Sequence, residues 1–269
     1  MKNLRTTVII IILLTLVSVH TATSSDSGDG NLRESLAGKA DLMVISAHSD
    51  DEFLFFGGTI PYYSAVRGKN TAVVYMTNCG QTRREETLAG LWEAGYHNAP
   101  IFLNLRDQKV RTQKEGLALW GGENRALSLL VGQIRKYRPD VIVTHDLNGE
   151  YGHNQHKITA SLTEKAVRLA ADPDCYPDSA QSYGTWQTQK LYLHLYGQNS
   201  IEMDWQTAFD ELGGLTPSQA AALGFQQHTS QQKRYTYVDG GQYDNAKFGL
   251  IYTVVGDDTA KNDFFENIT

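Results

Sequence analysis

Five short, almost continuously hydrophobic runs recur between residues 41 and 197, and the segments between them have helical character. No other feature restricts the fold as tightly. "DLMVISA" (41–47), "TAVVYMT" (71–77), "APIFLNL" (99–105), "PDVIVTHD" (139–146) and "TQKLYLHLYG" (188–197) are short and β-branched, the pattern of buried strands. Between them, "GGTIPYYSAVRGK" reads as a short helix. "TRREETLAGLWEAGY" has Leu88, Leu91 and Trp92 at helical spacing and ends at Gly95. "NRALSLLVGQIRKY" puts Leu127, Leu130, Val131 and Ile134 on one face, and "HKITASLTEKAVRLAAD" is a further helix. Strands separated by helices of this length pair in parallel through right-handed crossovers. The expected fold is α/β: a doubly wound, mostly parallel, Rossmann-like sheet with helices on both faces, in one domain over residues 40–269.

In such sheets a ligand site lies just beyond the carboxyl ends of the strands. Two charged clusters fall there. "AHSDDE" (47–52) follows the first strand and holds His48, Asp50, Asp51 and Glu52. "THDLNGEYGHNQH" (144–156) follows the fourth and holds His145, Asp146, Glu150, His153 and His156. Three adjacent carboxylates repel one another, and burying them is costly unless a positive charge sits among them.

A bound cation answers that problem. His48 and Asp51 are three apart, and His156 completes a set of two imidazoles and one carboxylate. Zinc takes such ligands at ~2.0–2.2 Å and keeps one position open for water. Asp50, not needed as a ligand, is then free to act as general base; helix capping is its plainer role. His153 and His156, three apart at the start of a helix, share one face. His145 and Asp146 either brace the loop or join the site, and Glu52 caps a helix or pairs with a basic group. Arg83 and Arg84 open the helix after the second strand, where either one reaches sugar hydroxyls or both are solvated. Tyr192, His194 and Tyr196 alternate on the fifth strand and so share a face, for core packing or as a wall behind a sugar.

The N-terminus is set apart. Lys2 and Arg5 precede "TTVIIIILLTLVSV", and "HTATSS" follows, in the order of a secretory signal peptide over residues 1–24. The apolar run is short for a membrane span, which needs ~20 residues. Export to the cell surface or beyond is expected, with an uncleaved anchor as the alternative, and residues 25–39 read as a flexible polar linker. Cys79 and Cys175 fit an exported protein that does not depend on a disulfide framework, whether paired or free. A formal net charge of -6 argues against nucleic acid or an anionic membrane as main partner. No protein partner is expected.

"AHSDDE" together with "HDLNGEYGHNQH" resembles the paired signature of the PIG-L/LmbE-like family of zinc-dependent N-acetylglucosaminyl deacetylases. Ser49 stands where the family usually has proline. "HTSQ" (228–231) and "FGLIYTVVGDDTAKNDFFENI" (248–268) also resemble later blocks of the family. The resemblance implies metal-dependent removal of acetyl from an N-acetylated sugar, with one divalent ion per chain, zinc or alternatively iron. It implies His48, Asp51 and His156 as metal ligands and Asp50 as general base. His153 would stabilise the oxyanion and protonate the leaving amine, and Tyr151 would polarise the amide. Gln155 departs from the family, where an aspartate orients the acid histidine; Asp146 is the substitute available. Arg83, Arg84, Asp146 and His194 are the remaining candidates for substrate contact. Two rival readings are a noncatalytic sugar-binding relative and a nonhaem Fe(II) oxygenase using the same ligand set.

Overall fold

The computed structural model describes residues 38–269. The expected signal peptide (1–24) and the linker (25–39) up to residue 37 lie outside the described residues. From Ala40, whose amide donates to the Tyr137 carbonyl at 2.7 Å, the chain is tied into the fold.

The five expected strands are present as β1 (Leu42–Ser46), β2 (Thr71–Thr77), β3 (Ile101–Leu105), β4 (Val141–Thr144) and β5 (Lys190–His194). They pair in parallel. Two further strands, β6 (Ser200–Glu202) and β7 (Lys247–Thr253), extend the sheet antiparallel, giving the order β3-β2-β1-β4-β5-β7-β6. Thus "FGLIYTV", read above only as a family block, is a strand that inserts beside β5. The chain winds outward from β1 to β3, then crosses back to β4. The seam between β1 and β4 is therefore the point where the winding reverses, the place where doubly wound sheets bind ligands.

Alternation along the strands divides the core in two, because successive side chains point to opposite faces. Met43, Ile45, Val74, Met76 and Ile142 pack under α5 (Glu123–Tyr137) and α6 (Asn154–Ala170), through Leu130, Val131, Ile134, Ile158 and Leu162. Leu42, Val44, Val73, Tyr75 and Val143 face the other way, toward Phe53 of α1 (Asp51–Leu54), Ile60 of α2 (Thr59–Pro61), Leu91 of α3 (Gly80–Glu93) and Phe225 of α8 (Pro217–Gln226). Helices cover both faces, as expected; α4 (Gln113–Leu119) and α7 (Pro177–Tyr183) complete them.

Two expectations need correction. Of the three residues expected to face the core on α3, Leu91 alone is buried; Leu88 is 42% and Trp92 64% exposed. The contact face is Glu86, Thr87, Gly90 and Leu91 instead. Gly90 abuts Gly224 of α8 so closely that a β-carbon at Gly90 would sit 2.7 Å from the Gly224 carbonyl oxygen. Second, Tyr192 and Tyr196 do not share a face. The strand ends at His194, and Leu195 turns left-handed with φ 56°, which breaks the alternation. The cysteines, whose pairing the sequence leaves open, are free thiols in separate settings: Cys79 accepts from the Ser49 amide at 3.3 Å, whereas Cys175 sits by Asp172.

Candidate active site

Because β1 and β4 are parallel neighbours, the residues that leave their carboxyl ends meet. Hydroxyls and a ring nitrogen stitch those ends together. Thr144 donates to the Ile45 carbonyl (2.8 Å), Thr77 to the Ala47 carbonyl (2.8 Å), and the Ala47 amide donates to His145 Nε2 (2.9 Å). The result is a rigid floor for the two charged clusters.

His48, Asp51 and His156 converge on that floor. Asp51 Oδ2 lies 3.0 Å from His48 Nδ1 and 3.3 Å from His156 Nε2, and the two ring nitrogens are 3.3 Å apart. A tetrahedral ion with bonds of 2.0–2.1 Å requires ligand atoms about 3.3–3.4 Å from one another. The triangle therefore fits one face of a tetrahedron almost without movement. The remote nitrogens are also held as metal-bound imidazoles require: His48 Nε2 meets Gln155 Oε1 at 2.8 Å, and His156 Nδ1 meets Glu150 Oε2 at 2.7 Å. Other ligand combinations lie within 4.8 Å, namely His48–His153–His156 and Asp51–His145–His156. His145 is the weaker candidate, since Ala47 N–H occupies its Nε2 and Glu150 takes its Nδ1–H at 2.9 Å.

The carboxylates around the two imidazoles also favour their charged form. Burial opposes it, but Asp51 and Glu150 push His156 up to about 10, and Asp51 raises His48 as well. Burial would raise Asp51 too, yet the imidazoles of His156 and His48 hold it well below the usual carboxylate range. The cluster is thus built for a positive charge, as the chemistry of the donor set predicts.

Asp50 sits beside the triangle on strained backbone, at φ 105° and ψ -31°. It makes no side-chain cap to α1, so the plainer role does not apply. Its amide donates to Glu52 Oε2 at 2.7 Å, and Glu52 Oε1 pairs with His228 at 3.0 Å. Its carboxylate meets Arg83 at 2.9 Å. Burial, then the charge of Asp51, pushes Asp50 up to about 7, while Arg83 pulls the other way. A carboxylate balanced in this way suits proton transfer at neutral pH.

His153 lies at the rim, with ring centroids 4.9 Å from His48 and 4.5 Å from His156. Burial, His156 and His48 push it down to about 3. Its Nδ1 is buried with no hydrogen-bond partner among the described residues. Neither candidate orients it: Gln155 braces His48 and donates to the Arg106 carbonyl, and Asp146 Oδ1 accepts from the Asn148 amide. Tyr151, left-handed at φ 44°, is partly exposed 5.5 Å from His156, and its phenol is held protonated by burial and by Asp51. It opens onto a cavity of about 410 Å³ that Phe55, Arg234, Tyr235 and Tyr243 also line.

The remaining expectations for substrate contact divide. Arg83 is near the site, but its guanidinium is engaged by Asp50, the Ser49 carbonyl and Asp107. Arg84 is turned away, held by Asn78 and Asn104 and lying over Phe102. His194 is fully buried, with one nitrogen on Glu150 (2.7 Å) and the other by the Asp244 carbonyl (3.1 Å), so it cannot reach a substrate. Asp146 is taken up by its own turn. Two residues went unassigned by sequence. Asp107 follows β3, where the strand-end rule could have found it. Glu150 lies inside the second cluster, but nothing in its spacing shows that its carboxylate is shared.

A family model described as GlcNAc-PI de-N-acetylase (PIG-L) matches residues 43–167, which contain both clusters. Among curated relatives, 1D-myo-inositol 2-acetamido-2-deoxy-alpha-D-glucopyranoside deacetylase of Mycobacterium leprae is 29% identical over 198 residues, 60% of this chain and 61% of its own. The chain thus spans about three fifths of that relative's length. A Catenulispora acidiphila protein of the same description is 27% identical over 241 residues, covering 78% and 73%. Among solved structures, N,N'-diacetylchitobiose deacetylase from Pyrococcus horikoshii superposes with a TM-score of 0.51 at 17% identity, over 75% of this chain and 74% of that one. A 4-carboxy-2-hydroxymuconate hydratase from Pseudomonas putida superposes at 0.50 and 17%, over 82% and 99%. These two likenesses concern the fold alone, and the two proteins are named for different reactions, so the fold does not choose the chemistry.

Proposed function

We propose that this chain is a member of the PIG-L/LmbE-like family and a metal-dependent hydrolase that removes acetyl from an N-acetylglucosamine-type sugar. The observation that carries this reading is the triangle of His48 Nδ1, Asp51 Oδ2 and His156 Nε2, with a spare carboxylate, Asp50, at its edge. The family supports the substrate class, since its curated relatives are named as deacetylases of an acetamido sugar.

Zinc is the divalent ion we assign, with iron the alternative; when bound it supplies Lewis acidity and lowers the pKa of a water to about 7. His48, Asp51 and His156 would hold it. Asp50 accepts the proton of the attacking water, and the Arg83 ion pair fixes its carboxylate. His153, as a neutral imidazole, donates a hydrogen bond to the developing oxyanion, and Tyr151 donates from the cavity side. Among the described residues no carboxylate touches Nδ1 of His153 to support an imidazolium. Asp50 is therefore the better carrier of the proton to the leaving amine. Acetate and a free amino sugar result.

Incubating the purified protein with zinc and a panel of N-acetylated sugars tests this. Acetate release that stops on chelation and returns with zinc is expected. Metal-loaded protein that releases acetate from none of them would refute the assignment, and oxygen consumption would point to the oxygenase reading. Export through the N-terminal apolar segment is part of the proposal, supported by the order of Lys2, Arg5, the apolar run and "HTATSS".

A further inference from the structure

Glu150 accepts from three histidines at once. Its Oε2 lies 2.9 Å from His145 Nδ1 and 2.7 Å from His156 Nδ1, and its Oε1 lies 2.7 Å from His194 Nδ1 and 3.2 Å from the Asp146 amide. Four donors fill the acceptor capacity of one carboxylate. His145, Glu150, His156 and His194 are all fully buried, and they come respectively from the end of β4, the turn before α6, α6 itself and the end of β5.

An ionised carboxylate can only accept, so each of the three imidazoles presents Nδ1–H to it and turns Nε2 outward. For His145 the outward nitrogen takes the Ala47 amide. For His156 it is the atom that meets Asp51 and His48. We propose that Glu150 is a positioning residue whose carboxylate fixes which nitrogen, and which ring orientation, His156 offers to the metal. The inference rests on the metal-centre reading above, and nothing in the spacing of the sequence assigns this role. It also explains why the carboxylate is worth burying: a neutral acceptor could satisfy one ring, but not hold three donors on two oxygens.

Glu150→Gln keeps the shape and turns one of the two acceptors into a donor, which then faces an N–H. Competition against a chelator should show the zinc dissociation constant raised by about 10–100-fold, the range usual for loss of a group that orients a ligand. Side-chain ¹⁵N spectra of the zinc-loaded wild type should show His156 protonated at Nδ1 and ligated through Nε2, with the Nδ1 proton protected from exchange. That protection should be lost in Glu150→Gln. A purely structural role would lower Tm and leave both readouts alone. If the variant does not fold, the wild-type spectrum still decides, because ligation of His156 through Nδ1 overturns the proposal. Wild type that binds no zinc overturns the metal-centre reading and this inference together. Wild type that binds zinc beside a folded Glu150→Gln of unchanged affinity and protection overturns only the role of Glu150.

Discussion

His48 Nδ1 and His156 Nε2 lie 3.3 Å apart although the residues are 108 positions apart in the chain. Two ring nitrogens that close, each beside Asp51 Oδ2, compete for the same small space. A shared proton or a cation resolves the competition, and the triangle is large enough for the cation. The purified protein is accordingly expected to hold about one divalent ion per chain, as three-ligand catalytic sites do. His156→Ala should lose most of it by elemental analysis. Wild-type metal content in that variant would count against the ligand assignment.

The same cluster predicts a pH dependence. Without metal, Asp51 and Glu150 push His156 from 6.5 up to about 10 despite burial. A group whose folded pKa is raised contributes stability that is complete below its unfolded pKa and lost as pH rises through the folded one. Metal-free protein should therefore lose stability between about pH 6.5 and 10, by at most about 1.4 kcal/mol per pH unit for one proton. In the loaded protein the ion replaces that proton, so the gap in Tm between loaded and metal-free protein should widen with pH. Parallel curves across that window would show that His156 is not the proton-holding ligand.

Much of this site was legible because strand ends are legible. The runs ending at Ser46 and Thr144 are continuous and β-branched, and the winding rule places their ends together. What lay hidden depends on tertiary contact. Periodicity gives His194 a face of β5 but cannot say that Glu150 occupies the space there. Leu88 and Trp92 keep helical spacing, yet α3 presents Gly90 to α8, because close approach of two backbones favours the residue without a side chain. Arg83 and Arg84 are adjacent and alike in sequence, and only packing shows that one neutralises Asp50 while the other lies over Phe102. The fifth strand led no further because β7 arrives antiparallel from 53 residues beyond β5, a pairing that helix–strand alternation does not foretell.

The α3–α8 crossing gives a stability test away from the site. A β-carbon at Gly90 would meet the Gly224 carbonyl at 2.7 Å and Phe53 at 3.1 Å. Backbone cannot yield as a flexible side chain can. Gly90→Ala should therefore destabilise by about 1–3 kcal/mol, as overpacked cores do, despite alanine's better helix propensity. Denaturant unfolding with an unchanged or raised midpoint would mean that the two helices can separate at no cost.

Export is checked by N-terminal sequencing of protein recovered from outside the cytoplasm. The chain before about residue 24 should be missing, since small residues follow the apolar run as they do at signal cleavage sites. Recovery of a soluble cytoplasmic form beginning at Met1 would remove the proposal.

Asp50 and Asp51 separate chemistry from metal binding, because neighbours in sequence have different partners in space. Asp51 points its Oδ2 at His48 and His156, whereas Asp50 is gripped by Arg83 at 2.9 Å. Asp50→Asn keeps the size of the side chain and the hydrogen bond from the residue's backbone N–H to Glu52, but loses basicity. It should retain metal and roughly retain substrate affinity, while kcat falls by about 10²–10⁴, the range for a general acid–base group. A base that acts only in the transition state lowers kcat and kcat/KM together. Asp51→Asn should lose metal first, with activity partly restored by excess zinc. Metal analysis and steady-state kinetics on the same preparations distinguish the two. If Asp50→Asn keeps wild-type turnover, or if added zinc repairs its defect, Asp50 is not the base, and the strained backbone that presents it serves some other purpose.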